Sequence, residues 1–126
     1  MTAGGDSPGM NAAIRAIVVK AIEYGFEVLG IKRGWMGLLN EQIEDLDINS
    51  VSEILPLGGT ILGTSRQNPL KQPDGEKKVL ANIEKNKINA IIVIGGRDSL
   101  TVATKIARVG VNIIGIPKTI NNDIAY

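Results

Sequence analysis

Residues Ile88–Leu100 read INAIIVIGGRDSL. Ile88–Ile94 is a near-continuous apolar run, the pattern of a parallel strand buried on both faces. Gly95-Gly96 breaks the run, and Ser99–Val109 follows with helical spacing until Gly110 ends it. A second buried strand, Val111–Ile116 (VNIIGI), comes next. Strand, glycine turn, helix, strand is the repeating unit of an α/β sheet. Upstream, Asp74–Lys87 reads as a helix with a polar face, its Glu76, Lys77, Lys78, Glu84 and Lys85 turned to solvent. Gly9–Tyr24 reads as another helix, with Ile14, Ile17, Val18 and Ile22 in helical register and Gly25 at its end. Phe26–Ile31 is a short strand and Lys32–Asn40 a loop anchored by the single tryptophan, Trp35. Gln42–Leu46 reads as a short strand, and Val51–Leu55 as a helical turn capped by Ser50. The fold class is therefore α/β, a doubly wound, mostly parallel sheet with helices on both faces. One piece is out of place: a glycine-rich turn entering a helix normally follows a strand, and nothing precedes Met1. The sheet is expected to lack its first strand and to expose the cut edge, and the chain is read as a fragment.

The composition fits that reading and narrows the chemistry. The 126 residues are 44% hydrophobic but only 3% aromatic, so the core is aliphatic. The net charge of +1 gives no long-range pull toward nucleic acid or membrane. Without Cys or His there are no disulfides or thiolate sites, and acid–base work falls to Asp, Glu or Lys. Any metal would be a hard cation on carboxylates, such as Mg²⁺. No apolar run approaches the roughly 18 residues of a membrane span, and no signal-peptide pattern opens the chain. A cytoplasmic location is expected.

Four glycine-rich or strand-end turns carry the function. They are TAGGDSPGMN (2–11), GGTILGTSR (58–66), VIGGRDSL (93–100) and PKTINND (117–123). Glycine lets backbone N–H groups approach a phosphate, and a following helix adds its positive dipole end. The first and third turns both run into helices. Two standard phosphate motifs are absent. Gly4 and Gly9 are followed by Met10-Asn11 rather than Lys-Ser/Thr, and no G-x-G-x-x-G occurs. Of the other polar residues here, Asp6 is read as a turn-forming Asx residue, Asn11 as first-turn hydrogen bonding, and Asp98 as a cap for a helix starting at Ser99.

TAGGDSPGMNAAIR, GGTILGTSR, IGG-x-x-S and PKTI-x-NDI, in this order and spacing, resemble the phosphofructokinases, over the N-terminal part of such proteins only. The resemblance implies a Rossmann-like N-terminal domain, here residues 1–126 as a partial phosphate-donor-binding α/β domain. It implies a glycolytic transferase, a kinase that phosphorylates carbon 1 of fructose 6-phosphate from ATP or pyrophosphate with Mg²⁺. It places Gly5, Arg66, Gly95, Gly96, Asp98 and Ser99 against the donor phosphates. Arg66, Lys118 and Thr119 fall on catalytic positions, with Thr119, Asn121 and Asp123 on the sugar side. Asp98, where ATP users generally carry Gly, and Lys118 both resemble the pyrophosphate-dependent type. Family members assemble as dimers or tetramers, so a homo-oligomer is a further implication.

Two positions depart from the family pattern. Arg97 stands where an Asp helps hold Mg²⁺, and a guanidinium cannot ligate a cation. Asn121 stands where an Asp takes the proton of the attacking sugar hydroxyl. Losing a general base costs on the order of 10²–10⁴ in rate. The metal site is expected to be weakened or lost, and the chain to be inactive alone. Against this reading stand a non-catalytic phosphate- or nucleotide-binding module and another kinase group, such as the NAD and lipid kinases. The latter leaves GGTILGTSR and PKTINND unexplained.

Overall fold

The computed structural model describes residues 1–125. In chain order its elements are β1 (Thr2–Ala3), α1 (Met10–Glu23), β2 (Val28–Ile31), α2 (Trp35–Leu39), β3 (Ile43–Leu46), α3 (Ile48–Val51), a 3-10 turn at Pro69–Lys71, α4 (Gly75–Lys85), β4 (Ile91–Gly95), α5 (Arg97–Arg108) and β5 (Ile113–Pro117). Strands β1, β4 and β5 form a parallel sheet in the order β1-β4-β5, and β2 pairs antiparallel with β3 as a separate ribbon. The register sets Thr2 beside Ile94, Ile91 beside Ile113 and Gly95 beside Pro117.

Side chains alternate across a strand, and β4 feeds a core on each face. Ile91 and Val93 pack with Val79 and Ile83 of α4 and Val102 and Ile106 of α5. Ile94 packs on the opposite side with Ile14 and Val18 of α1. Helices therefore cover both faces of the sheet, as a buried parallel strand requires. Among the described residues no helix is long and apolar enough to cross a membrane.

The place of the expected missing strand is occupied. Thr2 and Ala3 form β1, and Met1 extends the ladder by accepting from the Ile94 amide at 2.9 Å. Two residues carry no periodicity, so the strand is invisible in the pattern. Its outer edge is not exposed either. Gly34 packs so closely that a Cβ there would sit 2.8 Å from the Thr2 carbonyl oxygen. The exposed flank is at β5, where Ile114 is 59% exposed and, among the described residues, pairing runs to β4 alone.

Other local differences have simple causes. Trp35 opens a short helix rather than sitting in a loop, because its apolar neighbours Leu38 and Leu39 turn toward the core. The helical turn near residue 50 starts earlier, at Ile48. Asp47 caps it in a reciprocal box with Ser50, so Ser50 is the N3 partner and not the cap. Helix α5 begins at Arg97 with Gly96 as its N-cap, which places Asp98 inside the first turn. The charged face of α4 is exposed as expected, with Lys85 paired to Glu41 at 2.9 Å.

Candidate active site: a cleft at the strand ends

The parallel strands end side by side, so the turns that follow β1, β4 and β5 open on one edge of the sheet. That is the edge where ligands bind in open α/β sheets. The second turn, 58–66, reaches the same edge through hydrogen bonds. The Gly4 amide donates to the Ser65 carbonyl at 2.9 Å, and the Thr64 hydroxyl donates to the Gly4 carbonyl at 2.7 Å. Behind this clamp the Thr2 hydroxyl bonds the Gly63 carbonyl at 2.7 Å and Thr60 Oγ1 at 2.9 Å.

Asn11 serves the same turn. Its side chain is 2% exposed and donates to the carbonyls of Leu57 and Gly58 at 3.2 and 3.1 Å. Its Oδ1 accepts from the Ile61 amide at 2.7 Å. Asn11 therefore braces the second turn from within α1, a role larger than the first-turn bonding expected of it. An asparagine next to a glycine-rich turn is the only sequence signal, and it does not name a partner 50 residues away. Asp6 is exposed and makes no hydrogen bond among the described residues, so it is not an Asx turn former.

The four turns enclose a cleft of about 360 Å³. Gly4 and Gly5 line it from the first turn, Arg66 from the second, Gly96, Arg97, Asp98 and Ser99 from the third, and Lys118, Thr119, Asn121 and Asp123 from the fourth. Trp35 closes the floor, 1% exposed, with its indole N–H donating to the Ser99 carbonyl at 3.2 Å. It anchors the start of α5 to α2. Every expected site residue reaches the cleft except Gly95. That glycine ends β4 and is buried; its carbonyl accepts from the Lys118 amide at 3.0 Å. A Cβ on Gly95 would lie 2.8 Å from Ser99 Cβ, so its glycine serves strand–helix packing.

Gly5 faces cation rather than backbone. A Cβ there would lie 3.2 Å from Arg66 Nη2, so any side chain would occupy the space before the guanidinium. The first-turn amides of α5 are free of intrahelical partners and carry the positive end of the helix dipole. Three cations, Arg66, Arg97 and Lys118, share the cleft with two carboxylates, Asp98 and Asp123. Among the described residues neither guanidinium has a carboxylate within ion-pair distance. Lys118 is committed differently, since its ammonium donates to the Gly5 carbonyl. Burial holds it below the ordinary lysine value, with Asp6 opposing and Arg66 adding to the shift.

On the fourth turn the Thr119 hydroxyl donates to Asp123 Oδ1 at 2.6 Å. That bond, then the Asp123 amide, then the charge of Arg97 hold the Asp123 carboxyl below its usual range. A carboxylate so stabilised is a weaker base.

The donor set does not suit a resident magnesium ion. Among the described residues no three Asp or Glu side chains gather at one point. The two acidic groups of the cleft, Asp98 and Asp123, share it with Arg97, a cation that would repel the metal.

The phosphofructokinase family model matches residues 1–126. The chain belongs to the phosphofructokinase family. It is 48% identical over 124 residues to a pyrophosphate–fructose 6-phosphate 1-phosphotransferase of Dictyoglomus thermophilum, covering 98% of this chain and 36% of that protein. It is 48% identical over 126 residues to an ATP-dependent 6-phosphofructokinase of Clostridioides difficile, covering 100% of this chain and 40% of that one. Among solved structures it superposes on Pichia pastoris phosphofructokinase in the T-state with a TM-score of 0.94 at 32% identity, over 99% of this chain and 15% of that one. The pyrophosphate-dependent phosphofructokinase of Marinobacter aquaeolei shares the fold, with a TM-score of 0.82 at 22% identity over 96% of this chain and 33% of that one. The chain thus spans well under half the length of the curated relatives it matches. Relatives named for either donor match it, at 48% identity for each of these two.

Proposed function

We propose that residues 1–126 are the phosphate-donor-binding part of a 6-phosphofructokinase, taking pyrophosphate in preference to ATP, and that this version holds its donor without transferring it. The convergence of four turns on one cleft carries the reading, because it places the α5 amides, Arg66 and the Gly5 backbone around one volume. In that volume the donor phosphates lie against Gly5, Gly96 and Ser99. Arg66 faces the phosphoryl group in flight, where cationic contacts count most as charge develops, and Lys118 holds the Gly5 carbonyl beside it. Asp98 fills the space an adenosine phosphate would need, which favours the smaller donor. Fructose 6-phosphate is the acceptor, approaching Thr119, Asn121 and Asp123, and its hydroxyl proton has no carboxylate at Asn121 to go to. The setting is cytoplasmic glycolysis.

Binding and chemistry are tested separately. Calorimetric titration of the chain with pyrophosphate is expected to give saturable binding that weakens about tenfold or more in Arg66→Ala, as for loss of a charged hydrogen-bond donor. Absence of pyrophosphate binding overturns the donor-site reading. For chemistry, residues 1–126 are joined to the remaining part of an active relative. The chimera is expected to be inactive, and Arg97→Asp with Asn121→Asp is expected to restore phosphorylation of fructose 6-phosphate.

A second reading is a phosphate- or nucleotide-binding module without chemistry, which the Asn121 amide favours. A doubly substituted chimera that stays inactive while still binding pyrophosphate would select it.

A further inference from the structure

We infer that the cleft binds its condensed phosphate as the free anion, with Arg97 supplying the positive charge that a divalent metal would otherwise supply. The inference rests on the donor-site reading above and adds to it the ionic form of the ligand. It follows from where the cations stand and from what already occupies them. Lys118 already gives one of its three donors to the Gly5 carbonyl, and burial disfavours its charged form. The anion-binding load therefore falls on Arg66 and Arg97, which among the described residues have no ion-pair partner. Each presents a planar fork that matches two oxygens of a phosphate group. They reach the cleft from different turns, Arg66 from 58–66 and Arg97 from the first position of α5. Two phosphate groups of one pyrophosphate can each meet a guanidinium, while the first-turn amides of α5 face the same volume.

Arg97 also takes up the electrostatic task of a cation toward the protein. Its charge helps hold Asp123 ionised beside Thr119, in a cleft whose acidic groups do not gather into a metal-ligating cluster. The consequence is a sign. Magnesium bound to pyrophosphate cancels part of its charge and occupies the oxygens the guanidiniums need. Mg²⁺ should therefore weaken binding here, the reverse of a site built around the metal.

The test is calorimetric titration of the intact chain with pyrophosphate, in EDTA and in excess Mg²⁺, for three proteins. The unsubstituted chain is expected to bind more tightly in EDTA. Arg97→Gln is expected to bind about ten- to a hundredfold more weakly in EDTA, the loss of a charge-assisted pair, and to gain nothing from Mg²⁺. Arg97→Asp, a residue well suited to the first turn of a helix, is expected to reverse the sign and bind better with Mg²⁺. Tighter binding of the unsubstituted chain in Mg²⁺ than in EDTA overturns the free-anion inference and leaves the donor site standing. Equal affinity of the unsubstituted chain and Arg97→Gln in EDTA also overturns it. No binding by the unsubstituted chain in either medium overturns the donor site itself.

Discussion

The second and fourth turns both bring functional side chains to the cleft, but they are held there in different ways. The second turn, 58–66, is stitched to the body of the fold. Asn11 from α1, Thr2 from β1 and the reciprocal pair between Gly4 and residues 64–65 each fix a backbone group of it. The fourth turn, 117–123, hangs on the end of β5. Lys118 ties it back to Gly95 and Gly5, and beyond that its bonds are internal, Thr119 to Asp123. Its residues 118–120 also line a second hollow against Met10 and Ile116, so it stands between two cavities. Arg66 therefore follows a turn held by a network of side-chain and backbone bonds, whereas Asn121 and Asp123 sit on a segment with few bonds to the body of the fold.

Substitutions can break that contrast. The largest effect is expected for Asn11→Ala, which orphans the Leu57 and Gly58 carbonyls and the Ile61 amide. A loss of about 2–4 kcal/mol in chemical denaturation is expected, together with weaker pyrophosphate binding through a displaced Arg66. If stability falls and binding does not, the network supports the fold without positioning Arg66. Next is Gly4→Ala. Gly4 has φ of 87°, and a Cβ would meet Ser99 Oγ at 3.2 Å, so a cost of about 1–3 kcal/mol is expected from strain alone. Thr64→Val removes one bond to the Gly4 carbonyl and should cost about 1 kcal/mol.

The smallest effect sharpens the contrast from the other side. Asp123 has its pKa depressed in the fold, so its contribution is present above the ordinary carboxylate range, near pH 4, and is lost as pH falls below that. The carboxylate is fully exposed, and Asp123→Asn should leave global stability unchanged. NMR amide shifts of residues 119–123 are expected to move on acidification, with residues 58–66 unmoved. Matching movement in both turns would show that they are not independent.

Much of this molecule is legible in one dimension. The apolar runs of β4 and β5 and the periodicity of α1, α4 and α5 reflect burial on one or two faces, and burial leaves a mark on every residue of an element long enough to repeat. The short pieces leave none. Thr2–Ala3 as a strand and Ile48–Val51 as a helix are decided by neighbours, through the Ile94 ladder and the Asp47–Ser50 box. The candidate site divides in the same way. The resemblance to the phosphofructokinases marked Gly5, Arg66, Gly96, Arg97 and Lys118, and all five line the cleft. Gly95 carried the same mark but lies buried at the end of β4 against Ser99, since a motif does not tell which side of a turn faces the cleft.

The sequence by itself determined the α/β class and the family, because each depends on residue identity at fixed spacing. Only the tertiary structure decided that the four turns meet, that Asn11 braces the cleft from outside it and Trp35 from its floor, and that Lys118 already donates to Gly5 while, among the described residues, Arg66 and Arg97 have no ion-pair partner. Those facts depend on hydrogen bonds between residues dozens of positions apart, which no local pattern encodes.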